Sequence, residues 1–393
     1  MSDNLRYFKD FNTYDEYVEY INNDPTLPNV SFVDLDVYYK DGLPSDRYLT
    51  FEIVSGLTGN NNVLRLMSTQ SGYSVNVLVK VNNGEWVNKQ FGYEDIPNTL
   101  ITGLSVGDKI RFKGTNNVYS VLDSEKHCYF DANDTMFVNI EGNIMSLIYG
   151  DDFKDKTTFP SNTSYNFRAF FYHKEDSNFN VINAQNLILP ATKLTNGCYR
   201  AMFQDHSWLV TTPELPATKL IFDCYKHMFL RCESLKKAPK LPATTLGVSC
   251  YYYMFRGCTS LVTPPELPAT TLANYCYLGM FQECTSLVNT PKLPATTLAI
   301  DCYRGMFQGC TSLVATPELS ATTLVENCYR AMFYGCKKLN YIKCLATDIS
   351  ASECTYSWVY GVPSTGTFVK KTSMEGWSSG TDGIPNGWDV QNA

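Results

Sequence analysis

The spacing of hydrophobic residues changes along this chain, and near the N-terminus it is the spacing of one face of a helix. Tyr14, Tyr17, Val18 and Ile21 follow the i, i+3, i+4, i+7 spacing of one helix face. The run VSFVDLDVYY that follows alternates as a strand does. We therefore predict an N-terminal helix–strand module over residues 1–45.

Residues 46–150 carry several short runs in which hydrophobic and polar residues alternate. The runs YLTFEIV, SVNVLVKV and DKIRFKG have the period of two that is typical of strands with one buried face. Asn83-Gly84 lies between two such runs, and this dipeptide favours a type I′ hairpin turn. Short strands at this spacing predict a β-sandwich-like domain over residues 46–150.

The second half of the chain repeats a unit of 26 residues, for example CYYYMFRGCTSLVTPPELPATTLANY. Copies begin at Cys198, Cys224, Cys250, Cys276, Cys302 and Cys328. Self-similarity at such a period indicates a solenoid, in which stacked turns bury a common core. We expect the solenoid over residues 191–345, a degenerate N-terminal repeat or cap over residues 151–190, and a C-terminal cap over residues 346–393.

Each unit predicts one short helix and one short strand. Cys250, Met254, Phe255 and Cys258 fit one face of a short helical turn. The run SLVTPPEL is expected to be extended, because proline fixes φ and has no N–H group. The predicted fold is therefore multidomain, with β-rich, sandwich-like N-terminal modules followed by a solenoid that has a strand and a helix in each turn.

The charge and hydropathy of the chain argue against two classes of partner. The formal net charge is −7, and acidic and basic residues are interspersed without a basic stripe, which disfavours nucleic acid. No apolar run reaches the length of about 18 residues that a membrane span requires. The first twenty residues also lack the pattern of a secretory signal. We therefore expect no nucleic-acid partner and no membrane span.

The 14 cysteines allow three interpretations. Zinc sites use closer pairs than the eight-residue spacing of Cys250 and Cys258, and disulfides between neighbouring turns stay an alternative. Buried thiols are the favoured interpretation, because a free cysteine packs as a small hydrophobic residue. His206 and His227 occupy variable positions of the repeat and are expected to be exposed.

No sequence motif predicts catalysis. The G-x-G-x-x-G, P-loop, H-E-x-x-H and G-x-S-x-G patterns do not occur. Asp131, Asp134, Asp151 and Asp152 could pair in a glycosidase or a calcium site, but solvated loop carboxylates are the simpler interpretation. We predict that the chain is not an enzyme and has no catalytic residue, metal or cofactor.

Variation between the repeats indicates where a ligand could bind. The unit varies at the two residues after Cys-Tyr and around the predicted strand. Drift on a solvated face explains this variation as well as function does. If the variation is functional, charged side chains project from successive turns. The candidate ligand surface then consists of Lys237, Lys240, Glu266, Lys292 and Glu318.

The pattern M-F-x-G-C-T-S-L-V-x-x-P-x-L-P-A-T-T-L resembles the BspA-like, or treponemal-type, leucine-rich repeat over roughly residues 185–345. Members of that family are surface adhesins of gut Bacteroidetes and oral bacteria, and the same units occur in proteins of their phages, crAss-like phages included. The resemblance implies a leucine-rich repeat solenoid with an exposed repeat surface and no catalytic residues. The start YFKDFNTYDEYVEYI also resembles modules that attach phage fibres to the virion.

Together these features predict a non-enzymatic phage virion surface protein, either a head or tail fibre or a decoration protein. Its N-terminal modules would bind other virion proteins, and its solenoid would adhere to a glycan or protein of the host surface or mucosa. Such a protein is assembled in the bacterial host cytoplasm, where reduced thiols are ordinary, and it can be a homotrimer. The alternatives are a bacterial cell-surface BspA-like adhesin and a carbohydrate-active enzyme.

Overall fold

The structure, a computed structural model, describes residues 47–57, 62–120 and 126–393. The predicted helix–strand module over residues 1–45 lies outside these residues. Within them, strands and turns dominate, and the only α-helix is the single turn α1 (Ser146–Tyr149). The prediction of a β-rich protein is therefore confirmed.

The N-terminal strands form two sheets. They are β1 (Leu49–Ser55), β2 (Val63–Ser68), β3 (Val75–Val81), β4 (Val87–Phe91), β5 (Leu100–Thr102), β6 (Lys109–Lys113), β7 (Cys128–Ala132), β8 (Met136–Asn143) and β9 (Phe179–Ile188). One sheet has the order β4-β3-β6-β1-β8-β9 and the other the order β5-β2-β7. All neighbours are antiparallel except β8 and β9, which run parallel.

Aromatic rings from both sheets fill one core. The alternation in β1 points Phe51 and Ile53 inward, and both side chains are fully buried. The ring of Phe51 lies with its centroid 4.7 Å from Phe112 of β6 and 4.8 Å from Phe130 of β7. Phe171, which belongs to the segment between β8 and β9, reaches the same cluster at 5.9 Å from Phe51. The Phe171 ring also stacks on Phe203 at 5.2 Å, so the core of the sheets is continuous with that of the repeat-containing part of the chain.

The hairpin predicted at Asn83-Gly84 forms between β3 and β4, but its turn is not of type I′. The loop holds residues 82–86, and Asn82 is its residue with positive φ, at 50°. A type I′ turn needs positive φ at both central residues. Here the Gly84 N–H donates instead to the Val81 carbonyl at 2.9 Å, within a wider loop.

From residue 197 onward the chain winds in coils, each 26 residues from the next. We use "coil" for one such unit. Alternate amide N–H groups donate to the following coil, as from Tyr251 to the Cys276 carbonyl at 3.0 Å and from Phe255 to the Met280 carbonyl at 3.0 Å. The N–H groups between them donate three residues back within the same coil, as from Met254 to the Tyr251 carbonyl at 3.1 Å. Both sets of donors are thus satisfied.

Two columns of stacked rings run through the coils. The tyrosine column has centroid spacings of 5.7 to 6.2 Å and comprises Tyr199, Tyr225, Tyr251, Tyr277, Tyr303 and Tyr329. The phenylalanine column has spacings of 5.6 to 5.9 Å and comprises Phe203, Phe229, Phe255, Phe281, Phe307 and Phe333. Both columns end against Trp358, which stacks on Trp377 at 5.5 Å. The C-terminal residues therefore cover the end of the coil core.

The helix predicted in each coil does not form. The segment that holds Cys250, Met254 and Phe255 is a series of turns, with φ of +52° at Tyr253 and +74° at Gly257. A positive φ at every fourth residue interrupts a right-handed helix. The cross-coil bonds also take donors that a helix would use internally. The four predicted core residues are nevertheless all buried, Cys258 included.

Regular strands in the coils occur only near their C-terminal end. They are β10 (Ala315–Leu319), β11 (Tyr341–Cys344), β12 (Thr367–Lys370) and β13 (Asp389–Asn392), which form one parallel sheet in this order. Earlier coils are joined along their extended segments by isolated bridges such as Lys237 to Thr263. Those segments carry two prolines or more, whereas Ser320 replaces the second proline after β10. Proline cannot donate to a ladder, so the earlier coils pair incompletely.

Candidate ligand-binding surface

The five residues of the predicted ligand surface are all exposed on the extended segments. Burial alternates there, so Pro265 and Leu267 point inward and Glu266 points outward between them. Four of the five occupy equivalent positions in successive coils, and Lys237 lies three residues before that position. The five side chains therefore lie on one side of the stack, which we call the extended face.

The extended face carries charges of alternating sign. The equivalent positions begin with Glu214, which the sequence analysis missed, and continue as Lys240, Glu266, Lys292 and Glu318. At the last position the Lys343 ammonium of the next coil lies 2.7 Å from the Glu318 carboxylate. This contact lowers the pKa of Glu318 and raises that of Lys343. Opposite charges on adjacent coils offset one another, so this column has little net charge to attract an ion.

A second surface follows the turns between the two cysteines of each coil, and we call it the turn face. Its side chains range from buried, as Leu278 and Gln282 are, to exposed, as Tyr356 and Tyr360 are. Its first column, directly after the buried tyrosine, comprises Arg200, Lys226, Tyr252, Leu278, Arg304, Arg330 and Tyr356. Its middle column comprises Ala201, His227, Tyr253, Gly279, Gly305, Ala331 and Ser357. Its third column comprises Gln204, Leu230, Arg256, Gln282, Gln308, Tyr334 and Tyr360. Positive φ recurs along the middle column, which suits its glycines.

In the N-terminal half of the turn face, aromatic and basic side chains pack against one another and cover the surface. The rings of His227 and Tyr253 stack at 5.9 Å, and the Lys226 ammonium lies 4.6 Å from the centre of the Tyr252 ring. The Tyr253 ring also covers Gly279, where an added Cβ would come within 2.0 Å of a ring carbon. Burial, with help from Lys226 and neighbouring arginines, lowers the pKa of His227 to about 3. This half of the turn face is therefore filled by its own side chains.

The second half of the turn face leaves its aromatic rings in solvent. Tyr334 is 37% exposed, Tyr356 46% and Tyr360 50%. The rings of Tyr334 and Tyr360 stack at 4.8 Å, and the Arg330 guanidinium lies 4.9 Å from the centre of the Tyr356 ring. Arg330 also forms an ion pair with Glu353. These side chains are held by one another and still present open faces.

The repeat region carries a net positive charge, mainly because acidic residues are sparse there. Residues 191–345 contain fifteen Lys and Arg against nine Asp and Glu, a formal charge of +6, whereas the whole chain has −7. On the turn face several of these cations are paired, as Arg200 is with Asp223 at 3.0 Å and Arg304 with Asp301 at 3.1 Å. Burial raises the pKa of Asp223 in spite of the nearby Lys226 and Arg200 cations. The sequence analysis missed this segregation, which a charge count by segment would have found.

The cysteines and His206 are buried in the core, whereas His227 is half-buried on the turn face. All 14 cysteines are buried free thiols, which confirms the core interpretation. The prediction that His206 and His227 are exposed is wrong. His206 occupies the position of Cys232 in the next coil and is buried, with both ring nitrogens hydrogen-bonded: Nδ1 accepts from the Val181 N–H at 3.3 Å and Nε2 donates to the Phe171 carbonyl. Burial lowers its pKa to about 3.

Two of the four carboxylates considered for catalysis or calcium, Asp131 and Asp151, have structural contacts. Asp151 accepts from the Tyr48 hydroxyl at 2.6 Å and from Lys113 at 2.7 Å. Asp131 lies 3.3 Å from Arg65 and accepts from Ser177 at 2.9 Å. In the part of the chain that the structure describes, no group of three or more His, Cys, Asp or Glu side chains could hold a metal ion. No helix among the same residues is long and apolar enough to cross a membrane.

The chain matches no protein-family model, no curated protein sequence and no solved structure. Its function is therefore argued from the coils and their surfaces alone.

Proposed function

We propose that this chain is a non-enzymatic surface protein of a phage virion, a head or tail fibre or a decoration protein, that adheres to the surface of a host cell or to mucosa. Residues 191–345 then form a leucine-rich repeat solenoid of the BspA-like type, and residues 346–393 its C-terminal cap. Residues 46–150 form a sandwich-like module, and residues 151–190 a degenerate first repeat. Adhesion is the task of the solenoid surface.

One observation carries the proposal: the coils repeat nearly the same interior, with His206 in place of a cysteine in the first coil, and vary most on the turn face. The tyrosine, methionine, phenylalanine and cysteine columns are fully buried from coil to coil. The first and third columns of the turn face instead change between basic, aromatic, amide and leucine side chains. A scaffold that repeats its core and varies its surface suits display and binding, because each coil adds area without altering the fold.

We assign attachment to the phage particle to the N-terminal modules, and this role can be tested separately from adhesion. Mass spectrometry of purified phage particles should find the chain in stoichiometric amounts. Particles assembled with a variant that lacks residues 1–45 should lose it. If the chain is found on the bacterial surface and never on particles, the bacterial adhesin is the correct alternative.

Adhesion and catalysis are separated by a second experiment with the full chain. Labelled protein should bind host cells or mucus, and host polysaccharide incubated with it should release no new reducing ends. Release of reducing ends would establish a carbohydrate-active enzyme instead. Failure to bind either surface would contradict the adhesion role.

A further inference from the structure

The exposed part of the turn face is a compact patch made by two successive coils. We call it the tyrosine patch, and it consists of Arg330, Tyr334, Glu353, Tyr356 and Tyr360. Its three tyrosines are each between 37% and 50% exposed. Beside them the chain passes through Gly335 and Gly361, which add no side chain to this flank; a Cβ added at Gly361 would lie 3.6 Å from the Gly335 backbone of the coil before.

The side chains of the tyrosine patch are ordered before any ligand arrives. Tyr334 and Tyr360 stack with only 18° between their ring planes, and Arg330 is held between the Tyr356 ring and the Glu353 carboxylate. A tyrosine has few rotatable bonds, and rings fixed by neighbours lose little further freedom on binding. Preformed aromatic and arginine side chains are the ones that contribute most at binding sites.

The size of the patch indicates a small ligand. The exposed fractions of the three tyrosines are 37%, 46% and 50%. Applied to about 200 Å² for each side chain, they give roughly 270 Å² of exposed surface. A stable protein–protein interface buries about 800 Å² on each partner. The tyrosine patch offers about a third of that area, which is the scale of a few sugar rings.

The polar groups of the patch suit hydroxyl groups better than a charged group. Arg330 donates hydrogen bonds only and Glu353 accepts only, and their ion pair leaves the patch without net charge. A sugar hydroxyl both donates and accepts, so it can bond to either partner of this pair. The apolar C–H face of a pyranose can lie on a tyrosine ring, whose face carries partial negative charge.

We propose that the tyrosine patch is a binding site for a neutral glycan, with pyranose rings on Tyr356 and on the Tyr334–Tyr360 pair and hydroxyl groups on Arg330 and Glu353. This inference rests on the adhesion role proposed above and names the ligand class and the face that binds it. It places the site on the turn face and excludes the extended face with its alternating charges.

The test uses the full chain and neutral hexasaccharides of glucose, mannose, galactose and N-acetylglucosamine, with heparin as the acidic comparison. Titration calorimetry should detect at least one neutral sugar, with an affinity that does not change between low and high salt. Tyr356→Ala and Tyr360→Ala should each weaken binding about tenfold or more, because each removes a ring's contact area. Tyr356→Phe should bind like the parent.

Tyr341→Ala is the matched control, because Tyr341 is also 37% exposed but begins β11 on the extended segment. It should leave sugar binding unchanged. The proposal is overturned if no neutral sugar binds, if only heparin binds, or if binding survives Tyr356→Ala and Tyr360→Ala. If the full chain still binds host cells in any of those cases, the adhesion role stands and another surface or a protein ligand accounts for it.

Discussion

Phe255 gives the most direct test of how the coils hold together. Its side chain is fully buried, and its ring stacks on Phe229 at 5.6 Å and on Phe281 at 5.8 Å, both within 6° of parallel. Phe255→Ala removes the buried ring and leaves a cavity, which costs about 3 to 5 kcal/mol in a protein core. Loss of the two ring contacts places the expected value at about 4 kcal/mol or more. Domains of ordinary stability unfold at about 5 to 15 kcal/mol, so this is a large share.

The assay is urea unfolding followed by circular dichroism, with hydrogen exchange to locate the effect. In a stack, each coil is stabilised mainly by its two neighbours, so exchange should accelerate in the coils that hold Phe229, Phe255 and Phe281 before it does elsewhere. Phe222→Ala is the control, because Phe222 is 44% exposed and its loss should cost less than about 1 kcal/mol. A Phe255→Ala protein within about 1 kcal/mol of the parent would refute the stacked core.

Three further predictions follow from the buried groups. The Tyr225 hydroxyl is buried with no hydrogen-bond partner among the described residues, whereas the Tyr119 hydroxyl donates to the Leu147 carbonyl at 2.9 Å. Tyr225→Phe should therefore preserve or raise the free energy of unfolding, and Tyr119→Phe should lower it by about 1 kcal/mol; equal losses would contradict this. The pKa of buried His206 is about 3, so below pH 6.5 the unfolded chain binds a proton that the folded chain excludes. Stability should fall by up to about 1.4 kcal/mol per pH unit from pH 6.5 towards 3, and His206→Cys should flatten that slope in acid titrations. Burial raises the pKa of the cysteine thiols, so iodoacetamide at pH 8 should modify them only after unfolding. Cys354 is excepted, because its side chain is the most accessible to solvent. Labelling of any other cysteine in the native chain would contradict their burial.

The sequence predicts the core of the coils well and their backbone poorly. The spacing Cys250, Met254, Phe255, Cys258 places four residues inside, but both a helix and a series of four-residue turns satisfy it. The two differ at the positions with positive φ, where the other coils carry residues such as Gly279. Glycine tolerates the left-handed region and is unfavourable in a helix, so the composition of that column held the missing signal.

The candidate ligand surface was predicted from variation between the repeats and from charge, and these two signals did not single out the turn face. Lys240 and Glu266 are outward and variable, as the sequence indicates, but their opposite signs become neighbours only when coils stack. The two residues after Cys-Tyr were equally variable in sequence and form part of the turn face. Whether Tyr356 and Tyr360 stay exposed depends on the rings and coils packed beside them, which spacing alone does not give.

We propose that the coils bind the host surface through their turn face. This proposal is tested most directly by the affinity of the full chain for host cells, measured for two double variants. Tyr356→Ala with Tyr360→Ala should weaken cell binding about tenfold or more, and Lys240→Ala with Lys292→Ala should leave it within about twofold. If the lysine variant loses cell binding and the tyrosine variant keeps it, the turn face is not the binding surface.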